Sequence, residues 1–149
     1  MINCVIFDWK QTLYDPESGE LIVGAKDVLS YLKQRKATLY LVGKGADDMH
    51  DAVVRLKVKP YFKDVLFVGI EKHPDHFKRY IDESDSSKTL IIGDKLNSEI
   101  EIGNLIGATT IQVRQGKFAG DKPETKHQNP DMIVSSLPEL LTLLDSYVF

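Results

Sequence analysis

The sequence has a single cysteine, Cys4, and it falls inside the first apolar run. One thiol excludes a disulfide framework and a cysteine-based metal site, and it suits a reducing cytoplasm. No apolar run approaches the length needed to cross a bilayer, and nothing after Met1 reads as a basic segment followed by an apolar signal core. The expectation is a soluble, unexported, cytoplasmic protein with no membrane partner. An excess of positive charge is missing as well. The formal net charge is -3 and lysine and arginine are spread along the chain, which argues against a nucleic-acid groove. Small molecules or proteins remain as partners. Repeats and domain linkers are also lacking, so residues 1–149 are read as one domain, long enough to bury roughly two-thirds of its unfolded surface.

What is present is an alternation of strand and helix patterns. Cys4 to Phe7 is apolar and β-prone, and it ends abruptly at Asp8-Trp9-Lys10. Residues 14–22 carry Pro, Ser and Gly between apolar ends and read as a small hairpin or flap. A helical stripe through Val28, Leu29, Tyr31 and Leu32 follows, then a short strand at 38–42 closed by Gly43-Lys44-Gly45, and a helix over 47–56. A third strand at 64–68 leads to a loop containing Lys72 and a helix over 76–81. Thr89 to Asp94 is the clearest buried strand, unbroken and apolar, and Asn97 or Ser98 would cap the helix after it. A strand at 110–113, a long polar surface loop at 114–130, a short strand at 132–134 and a helix opened by Ser136 and Glu139 at capping-box spacing complete the chain.

This pattern predicts an α/β fold, a doubly wound three-layer sandwich around a mainly parallel sheet of five to six strands, Rossmann-like in organisation. In such a sheet ligands bind at the carboxyl ends of the strands. Asp8, Gly43 to Gly45, Lys72 and Asp94 all follow strands, so four loops bring them to one rim. Taken singly, Asp8 would neutralise Lys10, Asp94 would cap a helix and Lys72 would be a solvated loop lysine. Taken together they point to a site.

With those positions in hand, the sequence resembles the haloacid dehalogenase (HAD) superfamily, most of whose members are magnesium-dependent phosphatases. Phe7-Asp8-Trp9-Lys10-Gln11-Thr12-Leu13 is similar to its first motif, Leu41-Val42-Gly43-Lys44-Gly45 to its second, Lys72 with Pro74 and Phe77 to its third, and Ile92-Gly93-Asp94 to Glu99 to its fourth. The resemblance implies that Asp8 is a nucleophile forming an aspartyl-phosphate and that Lys72 offsets charge. It further implies that backbone N–H groups at Gly43, Lys44 and Gly45 cradle phosphate. Asp8, Asp94 and the Lys10 carbonyl would hold magnesium.

The chain departs from the pattern at Lys10, where the family has a second, proton-shuttling aspartate. At ~5 Å from magnesium an ammonium is repelled by about 6 to 7 kcal/mol at an effective dielectric near 20. Lys10 would therefore weaken metal binding, or replace the metal by bridging Asp8 and Asp94. Loss of a general acid/base slows a reaction by roughly 10²- to 10⁴-fold. Gly43 stands where the family has Thr or Ser, Gln11 replaces a glycine, and Glu99 keeps the second acid of the fourth motif with an extra methylene. No segment has room for a cap domain, so the site is expected to be open. That suits a phosphorylated small molecule, a phosphorylated macromolecule, or a cover supplied by a second copy in a homo-oligomer. Two functions follow: a slow phosphatase with weak magnesium affinity, or a catalytically silent module that binds a phosphorylated ligand or a protein.

Overall fold

The computed structural model describes residues 1–82 and 84–149. In chain order β1 (Cys4–Phe7) is followed by a two-stranded hairpin, β2 (Tyr14–Asp15) and β3 (Glu20–Leu21), then α1 (Ala25–Gln34) and β4 (Thr38–Lys44). Next come α2 (Asp47–Arg55), β5 (Asp64–Val68), α3 (Pro74–Lys78), β6 (Thr89–Gly93) and α4 (Glu101–Leu105). The chain closes with β7 (Thr109–Val113), β8 (Met132–Val134) and α5 (Leu137–Leu144).

An apolar run with no polar alternation is stable only when both faces are covered. All four residues of β1 are buried, and the strand lies mid-sheet, parallel to β4 on one side and β6 on the other. The six main strands run in the order β5-β4-β1-β6-β7-β8, every neighbour parallel, which is the expected architecture at its upper strand count. Strand alternation sorts the core into two layers. Val5 and Phe7 join the larger cluster with Leu29 and Leu32 of α1, Val53 of α2 and Leu140 of α5, whereas Cys4 and Ile6 join the smaller one with Phe77 of α3 and Ile102 of α4. Burying each such leucine or valine stabilises by about 1.5–3 kcal/mol. Among the described residues no helix is long and apolar enough to cross a membrane.

Three expectations are corrected in detail. The helix after Lys72 starts at Pro74 rather than His76, because the His73 ring accepts the Asp75 N–H at 3.1 Å and proline is favoured in a first turn. No helix capped by Asn97 or Ser98 follows β6. Leu96–Ile100 is a π turn with Ser98 at φ -130, ψ -108, and regular helix begins only at Glu101. The capping box of α5 is displaced by one residue. Ser136 Oγ accepts the Glu139 N–H at 3.2 Å, but the Glu139 carboxylate accepts from Ser135 at 2.9 Å. The segment 114–130 contains two short 3₁₀ turns and is tied down, with the Asn104 amide donating to the His127 and Asn129 carbonyls at 2.7 Å each.

Candidate active site

Parallel pairing of β1 with β6 sets Phe7 opposite Ile92, and the Asp8 N–H donates to the Ile92 carbonyl at 3.0 Å. Both strands then release their next residues at one edge. Asp8, Asp94 and Glu99 each offer a carboxylate oxygen within 4.8 Å of the others, and all three are buried. They form the floor of a cleft of about 350 Å³, whose walls include Lys10, Gln11, Lys44, Glu71, Lys95, Lys117 and Phe118. The Lys72 ammonium reaches the same floor from the β5–α3 loop, at 2.5 Å from Asp8 Oδ1 and 3.2 Å from Glu99 Oε2. Thus Asp8, Lys72 and Asp94, distant in sequence, are brought together.

Two further groups position these side chains. The Thr12 hydroxyl is 3.0 Å from Asp8 Oδ2 and 3.4 Å from Asp94 Oδ1. Glu99 Oε1 accepts the backbone N–H groups of Asp94 and Lys95 at 3.0 Å each, while its Oε2 accepts from Lys72. With both oxygens committed, Glu99 acts as a bracket between the Asp94 loop and Lys72. That bracket explains Gly93: a Cβ there would lie 2.2 Å from Glu99 Cγ. It also explains the π turn, because the chain must fold back for Glu99 to reach the N–H groups ahead of it.

The charges of the floor are tightly linked. Burial alone would raise the Asp8 carboxyl, but the Lys72 ammonium and hydrogen bonds from Asp94, Lys72 and the Trp9 backbone outweigh it, so Asp8 lies below the usual carboxylate range. Lys72, which burial alone would lower, is raised by Asp8 and Glu99 and stays charged. Asp94 is pushed up to about 11 by burial and by the negative charges of Asp8 and Glu99. Three neighbouring carboxylates with one ammonium leave two negative charges unbalanced, the charge of one divalent cation. Asp94 Oδ2 is buried without a hydrogen-bond partner among the described residues. An unclaimed carboxylate oxygen beside an ionised aspartate, in an all-oxygen set, fits a hard divalent cation such as magnesium.

Other predicted residues sit differently. Lys10 does not bridge Asp8 and Asp94. Among the described residues the ion pairs at the floor are made by Lys72, and Lys10 is a partly exposed wall residue. The chain turns at once after Asp8, the Trp9 carbonyl accepting N–H groups of Thr12, Leu13 and Tyr14 at 3.2, 2.9 and 3.0 Å. Gln11 takes φ 66 in that turn, the left-handed geometry that a glycine adopts most easily.

Gly43 and Lys44 are strand rather than loop, and the Gly45 N–H is not free to cradle a phosphate. β4 continues through Lys44, and the Gly45 N–H donates to the Val68 carbonyl at 2.9 Å. Only Lys44 lines the cleft, with its ammonium 3.0 Å from Glu71. Gly43 is dictated by packing, since a Cβ would lie 2.8 Å from the Phe67 ring and 2.9 Å from Trp9 Cβ. Trp9 itself is fully buried, stacked on Tyr14 with ring centroids 5.1 Å apart. Thr12 and Glu99 are the site residues that sequence reasoning left out of the functional set. Glu99 was signalled by its acidity after Asp94, but its partners were not.

The model of the HAD-hydrolase-like family matches residues 42–140, a span that includes Lys72, Asp94 and Glu99 and begins after Asp8. The glyceraldehyde 3-phosphate phosphatase of Pyrococcus furiosus is 27% identical over 131 residues, covering 83% of this chain and 54% of that protein. The Bacillus subtilis HAD-hydrolase YfnB, in a crystal form bound to magnesium, is 29% identical with a TM-score of 0.70, covering 85% of this chain and 57% of the other. A dehalogenase crystal structure superposes with a TM-score of 0.79 over 98% of both chains at 16% identity, a likeness of fold. The chain spans little more than half the length of the phosphatase and of YfnB.

Proposed function

The chain belongs to the HAD-like hydrolases, and from that premise we propose that it is a slow phosphomonoester phosphatase working through an aspartyl-phosphate at Asp8. One observation carries the reading: an ionised, buried carboxylate held 2.5 Å from a buried ammonium, with an unclaimed carboxylate oxygen beside it. That is what in-line attack on an anionic phosphoryl group requires, a nucleophile fixed in place and positive charge already directed at the reacting centre. The phosphatase name of the Pyrococcus furiosus relative supports the same class.

In the first step an Asp8 oxygen attacks phosphorus and the bond from phosphorus to the ester oxygen breaks, its electron pair leaving with that oxygen. Lys72 offsets the negative charge, while Thr12 and Glu99 hold Asp8 and the Asp94 loop in register. In the second step water attacks phosphorus, the bond between phosphorus and Asp8 breaks, and orthophosphate departs with Asp8 restored. Bound magnesium would supply electrostatic stabilisation of the phosphoryl oxygens, and Asp8, Asp94 and the Lys10 carbonyl are the ligands assigned to it. Lys10 offers no carboxyl to protonate a leaving alkoxide or to take a proton from water, so both steps are expected to be slow by roughly 10²- to 10⁴-fold. Substrates are expected to be phosphorylated small molecules or macromolecules reaching an open cleft.

The test is hydrolysis of an aryl phosphate across a magnesium titration for the parent, Asp8→Asn and Lys10→Asp. Metal-dependent turnover in the parent that disappears in Asp8→Asn and rises in Lys10→Asp is the expected result. Turnover in the last variant alone would favour a silent, ligand-binding module, and none in any variant would overturn the enzymatic reading.

A further inference from the structure

We propose that the mouth of the cleft is a second anion subsite, so that the substrate carries, besides the transferred phosphoryl group, another phosphate or carboxylate gripped by Lys95 and Lys117. The inference rests on the phosphatase reading and specifies its substrate class.

The cleft is divided by charge. Its floor holds Asp8, Asp94 and Glu99 with Lys72, whereas the remaining ionic residues lining it are Lys10, Lys44, Lys95 and Lys117 against Glu71 alone. Four lysines besides Lys72 line this one cleft although the whole chain is net negative. Lys44 is occupied by Glu71 at 3.0 Å. Lys10, Lys95 and Lys117 have no carboxylate partner among the described residues. Instead, Lys95 Nζ and Lys117 Nζ both lie 5.0 Å from the centroid of the Phe118 ring. Two ammoniums drawn to one aromatic ring repel each other, and an anion entering the cleft relieves that repulsion while accepting charge-assisted hydrogen bonds from both.

The segment bearing Lys117 and Phe118 is also fastened to the turn that carries the nucleophile. The Gln115 amide donates to the Gln11 and Thr12 carbonyls at 3.2 and 3.1 Å. Gly116, at φ 71, approaches so closely that a Cβ would lie 2.2 Å from Gln11 Oε1. The backbone that bears Lys117 is therefore anchored to the Asp8 turn two residues away, at Gln115. A ligand with a phosphonate on the floor and a second anion at the mouth would use both ends, and a ligand with one anion would use only the first.

The experiment is calorimetric titration of the full chain with methylphosphonate and methylenediphosphonate, which resist hydrolysis and differ by one anionic group, at matched free magnesium. The diphosphonate is expected to bind at least about tenfold more tightly, ~1.4 kcal/mol. The double variant Lys95→Gln, Lys117→Gln should bring that ratio close to unity. Lys122→Gln, in the same segment but off the cleft, should leave it intact. Equal affinity for the two ligands in the parent, or an undiminished ratio in the double variant, overturns the subsite while leaving the phosphatase reading standing. Failure of both ligands to bind overturns the subsite and removes the reading beneath it.

Discussion

The floor and the mouth of the cleft have similar numbers of charges and opposite constructions. On the floor Asp8, Asp94 and Glu99 are buried, and apart from Asp94 Oδ2 their oxygens are fixed by Lys72, Thr12 or backbone N–H groups. At the mouth the one ion pair among the described residues, Lys44 with Glu71, leaves the two side chains 54% and 75% exposed. Water screens the exposed mouth far more than the buried floor, so an equal change of charge has unequal consequences. Floor charges specify the fold locally as well as the chemistry. Mouth charges act on what arrives.

The largest expected effect comes from removing the ammonium of Lys72, the only one paired with the floor carboxylates among the described residues. Lys72→Met leaves Asp8 and Glu99 buried beside each other without compensation, which should lower unfolding free energy by about 3–5 kcal/mol in urea denaturation at neutral pH. A loss no greater than that of an exposed lysine would break the contrast between the two regions.

Next in size is a pH effect at Asp94. In the folded protein its carboxyl titrates at about 11, raised by burial, Asp8 and Glu99, against an unfolded value of about 4. The native state keeps a proton that the unfolded chain has released. The stability contributed by this group is full below pH ~4 and is lost progressively as pH rises toward 11. Asp8, lowered in the fold, has the opposite sign, its contribution present above pH ~4 and lost in acid. Asp94→Asn removes the first dependence. In chelator-containing buffer its melting temperature relative to the parent should climb steadily from mildly acidic to alkaline pH. Added magnesium should raise the parent's melting temperature and leave that of Asp94→Asn nearly unmoved. A pH-independent difference would show that Asp94 is already ionised in the native state.

How far these features were legible in the sequence follows the same division. That Asp8 and Asp94 meet could be read directly, because parallel strands share one carboxyl edge and both residues follow unbroken apolar runs. Lys10 lines the cleft beside Asp8 while Trp9 is buried in the core, but it does not bridge Asp8 and Asp94, because Lys72, arriving from the distant β5–α3 loop, already pairs with the floor carboxylates. Glu99 was visible as an acid, but its bracketing role depends on a π turn that periodicity does not encode, and the only local sign was the glycine immediately before Asp94. Gly43 looked like a lost phosphate ligand. Its reason is the approach of Phe67 and Trp9, a contact between strands that no local pattern announces. The grouping of Lys95 and Lys117 on Phe118 joins two loops and was equally hidden.

The smallest effect sharpens the comparison from the other side. Glu71 is held below the usual carboxylate range by the hydrogen bond from Lys44 and by that ammonium's charge, yet its side chain is largely exposed. Lys44→Gln should therefore move Glu71 up toward the ordinary range, with Lys95 and Lys72 still lowering it slightly, followed by NMR titration of its side-chain carboxyl, with no resolvable change in melting temperature, because the surrounding water replaces the lost partner. The same titration of the parent in high salt should show most of that return without any mutation, since exposed pairs are screened within a few ångströms. A melting loss in Lys44→Gln comparable to that in Lys72→Met would mean that the mouth is built on desolvated charge like the floor, and the lysines there would then be structural before they are ligand-directed.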